Sequence, residues 1–426
     1  MEHLTPLGYI PRLVDREISD LLETFGAVEI NGPKWCGKTW TALNHSKSLI
    51  NLDDADNRIL AKTDPLLVLM GDHPHLIDEW QLVPSVRDAV RRSIDISGNT
   101  PGMFLLTGSS APHREEVTHS GAGRISTIRM RPMSLSESGF SNASISLEGL
   151  FAGEFEPQQL DVHLDTIAEM IVKGGWPASL SRSRKQYSRL PYQYLQAIYD
   201  FTAPSFGKSP EVTRKLLQAL VRNEGDAVSY ATLATDIAGG EKPIDQTTVR
   251  DHLDFLKSIY LIEELQGWDA PVRSRARVRT RPKRHFVDPS LGAAILGVSP
   301  EALLGDFQLF GRLFESMCMR DLRVYLSASS QTTYCELRHY RDDYGLEIDV
   351  IIELSDRRWA AIEIKLSEDK VSQAVNSLLR LKQKVSENPL ARNKEPEFLA
   401  VLVGRTPYAR RTPEGVYIIP ITCLTA

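Results

Sequence analysis

Three groups of residues in this 426-residue chain have the types and spacing to do chemistry. The first is Gly32-Pro33-Lys34-Trp35-Cys36-Gly37-Lys38-Thr39, followed by Trp40 and preceded by the short apolar run Ala27–Ile30. A triphosphate needs backbone N–H groups converging on its oxygens, and a glycine-rich loop that opens a helix supplies them. Gly32 and Gly37 permit the curved backbone. Lys38 has the length to reach the β- and γ-phosphates, and the Thr39 hydroxyl is placed to ligate Mg²⁺. ATP is the expected ligand and Mg²⁺ the expected cofactor. Further along, His75-Leu76-Ile77-Asp78-Glu79 is an apolar run ending in two carboxylates. Asp78 is expected to hold the Mg²⁺ shell, and Glu79 to orient and polarise the attacking water. A third apolar run, Met103–Leu106, ends in Thr107 and Ser109, either of which can touch the γ-phosphate or the water.

The second group lies near the C-terminus. In Trp359–Ser367, strand alternation puts Glu363 and Lys365 on one face and Ile362 and Ile364 on the other. Asp349 falls on the neighbouring strand of a hairpin, and Glu315 on a preceding helix. The two strand carboxylates, Asp349 and Glu363, can share Mg²⁺ or Mn²⁺, and the lysine can polarise water or steady a scissile phosphate. An edge hairpin with a surface ion pair is the alternative. The third group is Arg273, Arg275, Arg277, Arg279 and Arg281, with Lys283 and Arg284 after them. In an extended chain, period two places all five arginines on one face. Such a strip repels itself unless anions neutralise it, and regularly spaced phosphates do so with strong salt dependence. A solvated basic loop is the other reading.

Elements must position these groups. Residues 1–150 read as strand, loop, helix, strand, helix, strand, the pattern of a parallel sheet with helices on both faces. Residues 8–24 read as an amphipathic helix carrying Arg12 and Arg16 on one face, either solvated or facing nucleotide or DNA. Leu66–Met70 reads as a helix end. Residues 151–270 read as a helical lid followed by helices at Val212–Val221, Ser229–Ala238 and Asp245–Leu256 and a strand at Tyr260–Leu265. That is a winged-helix pattern, with Thr248 and Arg250 on the helix that would enter a DNA groove. Such modules also serve only to pack proteins together. Residues 271–426 hold the basic strip, a long helix from Phe307, and strands beginning near Thr333, Gly345 and Trp359.

A net charge of −5 gives no chain-wide attraction to nucleic acid, so a DNA site has to be a local patch. The four cysteines are far apart without a CxxC, which argues against a disulfide framework and a zinc site. The first residues lack a basic segment followed by an apolar one, and no run has the length of a membrane span. A cytoplasmic protein without membrane association is expected.

Several motifs follow one another in order: Tyr9-Ile10-Pro11-Arg12, G-P-x-x-x-G-K-T, Asp78-Glu79-x-Gln81, Leu106-Thr107-Gly108-Ser109, Gly121-Ala122-Gly123-Arg124 and Gly174-Gly175-Trp176-Pro177. Together they resemble the AAA-type ATPases that carry a C-terminal DUF4143 domain. The resemblance implies ATP hydrolysis by an AAA+-like core. It also implies that Arg124 acts as an arginine finger on a neighbour's nucleotide, hence a homo-oligomer, with a hexamer as one form. Trp35 and Cys36 depart from the family, which more often has Gln and a small or branched residue there. Asp349, Glu363 and Lys365 resemble the core motif of PD-(D/E)xK nucleases, and Glu315 its additional acid. A degenerate nuclease fold kept for DNA binding fits the same residues.

The expected architecture is therefore α/β and multidomain. It comprises a P-loop AAA+-like parallel-sheet core, a helical lid with a winged helix, and a C-terminal restriction-endonuclease-like α/β domain. The expected function is an ATP-hydrolysing, DNA-associated protein that moves or remodels duplex or branched DNA. Two rivals remain: a regulatory NTPase switch binding a protein partner, and an ATP-gated nuclease.

Overall fold

The computed structural model describes residues 3–111, 121–160, 162–240, 244–271, 273–329 and 335–426. They divide into two compact units rather than three: residues 1–133 with 258–261, and residues 134–257 with 262–426.

In the first unit, helix α1 (Val14–Thr24) leads into β1 (Ala27–Asn31), and α2 (Lys38–Asn44) follows the glycine-rich loop. Then come β2 (Ser48–Asn51), α3 (Ala55–Thr63), β3 (His75–Asp78), α4 (Ser85–Ile96), β4 (Phe104–Gly108) and β5 (Ile125–Arg129). The strands form one parallel sheet in the order β2-β3-β4-β1-β5. The apolar positions explain the layers. Val86, Val90 and Ile94 recur every fourth residue, so α4 buries one stripe against Phe104, Leu106 and Ile77 of the sheet. Asp54 caps α3 by accepting from the Asp56 and Asn57 N–H groups. Two expectations shift: α1 begins at Val14, leaving Arg12 ahead of it, and Leu67–Leu69 is a 3₁₀ turn, not a helix end. Because β4 lies between β1 and β3, with Ile30 opposite Thr107 and Ile77 opposite Leu106, the carboxyl ends of all three strands stand side by side.

The second unit carries the three expected middle helices, α5 (Pro210–Arg222), α6 (Tyr230–Ala238) and α7 (Gln246–Ser258), before an antiparallel strand pair. That pair is part of a larger sheet. Besides a two-stranded contact of β6 (Ile145–Ser146) with β16 (Leu424–Thr425), nine strands run in one order. They are β7 (Gln158–Gln159), β14 (Tyr408–Arg411), β15 (Tyr417–Pro420), β13 (Leu399–Arg405), β12 (Trp359–Ser367), β11 (Glu347–Leu354), β10 (Cys335–Arg341), β8 (Ile262–Gly267) and β9 (Lys283–Phe286). Since β8 pairs in parallel with β10, a division between residues 270 and 271 would cut through this sheet. Thr333 and Tyr334, expected to open β10, lie outside the described residues. Two long helices, α8 (Phe307–Ser327) and α9 (Val371–Glu387), pack on β12.

The extended arginine strip is corrected by this structure. Ala276–Arg279 is a helical turn, so the alternating arginines do not share one face. Arg277 turns inward, where its guanidinium donates to both oxygens of the Glu353 carboxylate at 2.6 and 2.9 Å and to the Asp269 carbonyl. A bidentate partner favours the fork geometry of arginine over the extended repeat. Arg273, Arg275, Arg279 and Arg281 remain exposed. The Gly174–Pro177 motif is also structural. Gly174 has φ +67°, and a Cβ there would lie 2.4 Å from Asp288 Oδ1. Asp288 accepts from the Gly175 N–H at 2.8 Å while pairing with buried Arg320 at 2.9 Å.

Candidate nucleotide site and a buried carboxylate cluster

The glycine-rich loop gets its shape from close approach as well as from torsion. A Cβ on Gly32 would sit 2.2 Å from the Met130 carbonyl oxygen, so only glycine fits there. Gly37 has φ +105°, outside the range of ordinary side chains. Trp35 also takes a left-handed φ, 67°, and is half exposed, as is Trp40. Cys36 is buried, and Lys34 lies at the surface beside Pro33. The Lys38 ammonium is buried and donates to the Pro33 carbonyl at 2.8 Å.

The neighbouring strand ends complete the site. Thr39 Oγ1 donates to Asp78 Oδ1 at 2.9 Å, and Thr107 Oγ1 donates to the same oxygen. Burial raises the Asp78 pKa above its ordinary value, outweighing those two hydrogen bonds. Glu79 sits just past β3 in the left-handed region at φ 56°, and its N–H donates to Thr107 Oγ1 at 3.3 Å. Its carboxylate accepts from Ser109 Oγ at 3.0 Å and from the Gln81 amide. Thr39, Asp78, Glu79 and Ser109, read from the sequence as one constellation with Lys38, are joined through Thr107 in one hydrogen-bonded group, and Lys38 adjoins Thr39 at the start of α2. Gln81 was visible only as a motif letter; the structure makes it the group that orients Glu79.

Arg124 is elsewhere. Its carbonyl accepts from the Ala27 N–H, and Ile125 stands opposite Ala27, at the amino end of β1. The phosphate loop is at the other end, ~13 Å away along a five-residue strand. The Arg124 guanidinium is part-exposed and donates to Asp95 at 2.8 Å.

In the second unit, Asp349, Glu363, Lys365 and Glu315 do converge. Lys365 Nζ lies 3.0 Å from Asp349 Oδ2 and 2.5 Å from Glu363 Oε2. Asp349 Oδ2 also accepts the Ile364 N–H at 2.8 Å. Burial pushes Asp349 up, but the ammoniums of Lys365 and Lys283 outweigh it and hold the carboxyl well below the usual range. Burial and the Asp349 charge push Glu363 up to about 9. Glu315 is raised by burial. Sequence reasoning missed Lys283, which it left at the tail of the basic run. Its Nζ is 2.8 Å from Glu347 Oε1 and 3.7 Å from both Glu315 Oε1 and Asp349 Oδ1. No alternation in Lys283-Arg284-His285-Phe286 could have signalled it, since all four residues of this strand are buried. Of the expected DNA-contacting residues, Arg250 is exposed beside Asp251 at 3.7 Å, and Thr248 is half-buried on α7.

Residues 24–139 match the model of the AAA domain, AAA_14. This part of the chain is an AAA-type P-loop domain. Residues 164–302 match a domain of unknown function, DUF8612, and residues 310–424 match another, DUF4143. No curated protein matches the chain. Among solved structures, the Walker-type ATPase PABY2304 of Pyrococcus abyssi is 11% identical over 70% of this chain and 98% of its own, with a TM-score of 0.43. DnaA of Aquifex aeolicus bound to AMPPCP is 14% identical over 57% and 86%, with a TM-score of 0.27. A RuvB of Thermotoga maritima is 17% identical over 59% and 88%, with a TM-score of 0.28. At these scores the likenesses are partial.

The AAA domain's own residues fit a nucleotide with Mg²⁺. The buried Lys38 ammonium rests on a carbonyl, for which a phosphate oxygen is a stronger partner. Two hydroxyls and a buried carboxylate meet at Asp78, a hard-oxygen donor set. The buried atoms Asn31 Oδ1 and Gln81 Oε1 lack hydrogen-bond partners at the same strand ends. The cluster of the second unit does not fit a metal, because the Lys283 ammonium already faces Glu315, Glu347 and Asp349, and the Lys365 ammonium faces Asp349 and Glu363. Glu315, Asp349 and Glu363 are thus corrected as metal ligands.

Proposed function

We propose that this chain is an ATPase whose AAA domain binds ATP through Gly32–Trp40 and hydrolyses it with Glu79. The observation carrying this reading is the Thr39–Asp78 hydrogen bond, which links the phosphate loop to the carboxylate-bearing strand. Gly32, Pro33, Lys34, Trp35, Cys36 and Gly37 present the loop backbone, and Lys38 neutralises phosphate charge. Mg²⁺, held by Thr39 and Asp78, would draw electron density from the phosphate oxygens. Glu79 accepts a proton from the attacking water, and Gln81 and Ser109 hold its carboxylate in position. Arg124 lies too far from its own loop to serve it, so its role as an arginine finger requires a second copy of the chain. A homo-oligomer, with a hexamer as one form, follows from that role.

The proposed load is DNA. This reading is supported by the order of three helices and a strand pair, with Thr248 and Arg250 on the third helix, and by exposed Arg273, Arg275, Arg279 and Arg281. Arg277 is withdrawn from that set. The test is ATP turnover measured with no DNA and with single-stranded, duplex and junction DNA. Glu79→Gln is expected to keep ATP binding while lowering turnover by roughly 10²–10⁴-fold. Stimulation by one DNA shape over the others supports a motor or remodeller. Equal rates with every DNA count against it. A Glu79→Gln protein that hydrolyses at the wild-type rate removes the proposed base.

A further inference from the structure

The carboxylates of the second unit surround an ammonium group. Lys283 enters from β9 with its side chain 3% exposed. Its Nζ faces Glu347 at 2.8 Å and Glu315 and Asp349 at 3.7 Å. Lys365 approaches Asp349 from the other oxygen, at 3.0 Å, and Glu363 at 2.5 Å. Asp349 therefore has an ammonium near each of its oxygens. A divalent cation would need these same oxygens at roughly 2.0–2.6 Å. It would also have to share a buried pocket with a like charge, which is heavily penalised. The two lysines together bring the charge of one divalent ion. Among the described residues, no group of three or more His, Cys, Asp or Glu side chains is arranged to hold a metal.

We propose that Lys283 is a built-in replacement for the divalent cation of a nuclease-like site. Its ammonium gathers Glu315, Glu347 and Asp349 as a metal would, and the resulting cluster neither binds Mg²⁺ or Mn²⁺ nor cleaves phosphodiesters. The placement of Lys283 makes this possible. It follows the exposed arginines directly in sequence, yet it belongs to a strand that turns the basic run inward. An ammonium on a flexible stem gives charge without an open coordination position, so it can order carboxylates but cannot activate a metal-bound water. Replacing it by methionine keeps the apolar stem and removes the charge. The carboxylates then face one another and become ligands for a cation.

The experiment is Mn²⁺ binding, followed by electron paramagnetic resonance, on the full chain without nucleotide. Four proteins are compared: wild type, Asp349→Asn, Lys283→Met, and the double variant. Mn²⁺ held at Thr39 and Asp78 is common to all four and cancels. Wild type and Asp349→Asn are expected to give the same isotherm. Lys283→Met is expected to gain one Mn²⁺ with affinity raised roughly tenfold or more by loss of the like charge, and the double variant to lose it. A wild-type Mn²⁺ site abolished by Asp349→Asn overturns the proposal. So does a folded Lys283→Met protein with the wild-type isotherm. Should Lys283→Met fail to fold, the wild-type and Asp349→Asn isotherms decide alone: coincidence supports the proposal and divergence overturns it.

Discussion

The Arg12 guanidinium donates to the Cys36 carbonyl oxygen at 2.8 Å, and to the Arg131 carbonyl at 2.9 Å. It thereby ties the segment ahead of α1 to the turn that precedes Gly37 and Lys38. The side chain is buried, so these bonds form away from competing water. A hydrogen bond from a charged donor contributes roughly 1.5–3 kcal/mol. Arg12→Ala is expected to loosen the loop and weaken ATP binding by about tenfold, which is worth ~1.4 kcal/mol. Turnover at saturating ATP should change far less. Nucleotide titration and steady-state kinetics separate the two. Arg12→Lys should fall between, because one point charge cannot serve two carbonyls as a fork does.

Trp35 within the phosphate loop and Trp40 just after it are about half exposed, at 49% and 47%. The other four tryptophans, Trp80, Trp176, Trp268 and Trp359, are buried. A nucleotide seated in the loop should therefore shift emission through the two exposed indoles. Adding ATP or a non-hydrolysable analogue is expected to change intrinsic fluorescence, with saturation at the binding constant. Trp35→Phe together with Trp40→Phe should abolish the change while leaving ATP turnover measurable. A response unaltered in the double variant would place the reporter elsewhere.

Two arginines of one run should fail in different ways. Arg277 and Glu353 are a buried, bidentate pair, with side chains 8% and 7% exposed. Removing one partner of such a pair costs roughly 3–5 kcal/mol, because a charge stays buried alone. Arg277→Ala is expected to lower Tm markedly. Arg275→Ala and Arg279→Ala should leave Tm nearly unchanged. If these two touch phosphates, each should reduce the salt slope of DNA binding by about one. Calorimetry and binding titrations at several salt concentrations give both readouts for each variant. A stable Arg277→Ala protein with a reduced salt slope would reverse the assignment.

The legible parts of this chain were those encoded locally. The phosphate loop, the Asp78–Glu79 strand end and the middle helices follow from glycine placement, apolar runs and caps, which neighbouring residues settle among themselves. Arg277 shows where local reading stops. Its period-two spacing is a fair strand signal, but a carboxylate 76 residues away captured it and the backbone turned helical. Lys283 shows the same for charge. In sequence it extends a basic run; in space it meets carboxylates from α8 and β11. Long-range ion pairing leaves no periodicity to read, so the contents of the buried cluster could be gathered from the sequence but not its internal cation.

The pH dependence of stability should expose another buried pair. Glu224 Oε1 accepts the Phe286 N–H at 3.0 Å and lies 3.6 Å from His285 Nδ1. Burial pushes Glu224 up to about 8 and His285 down to about 3. Both groups are thus neutral in the folded protein near pH 7. The signs differ. Folded Glu224 keeps its proton from pH 4.5 to about 8, where the unfolded chain has released it, so stability falls as pH rises through that window. The unfolded chain protonates His285 below pH 6.5 while the folded state does not until about 3, so this group makes stability fall as pH drops. The two oppose each other between 4.5 and 6.5; above 6.5 His285 no longer contributes, and the Glu224 slope adds to that of Glu363, whose carboxyl is also pushed up. Urea unfolding at pH 6.5 and pH 8 should therefore show a loss of roughly 1–2 kcal/mol at the higher pH, the scale of a pKa unit or so. Glu224→Gln keeps an oxygen for the Phe286 N–H and removes the titration, so its stability should be flatter over the same interval. Parallel slopes for the two proteins would show that Glu224 is ionised in the fold.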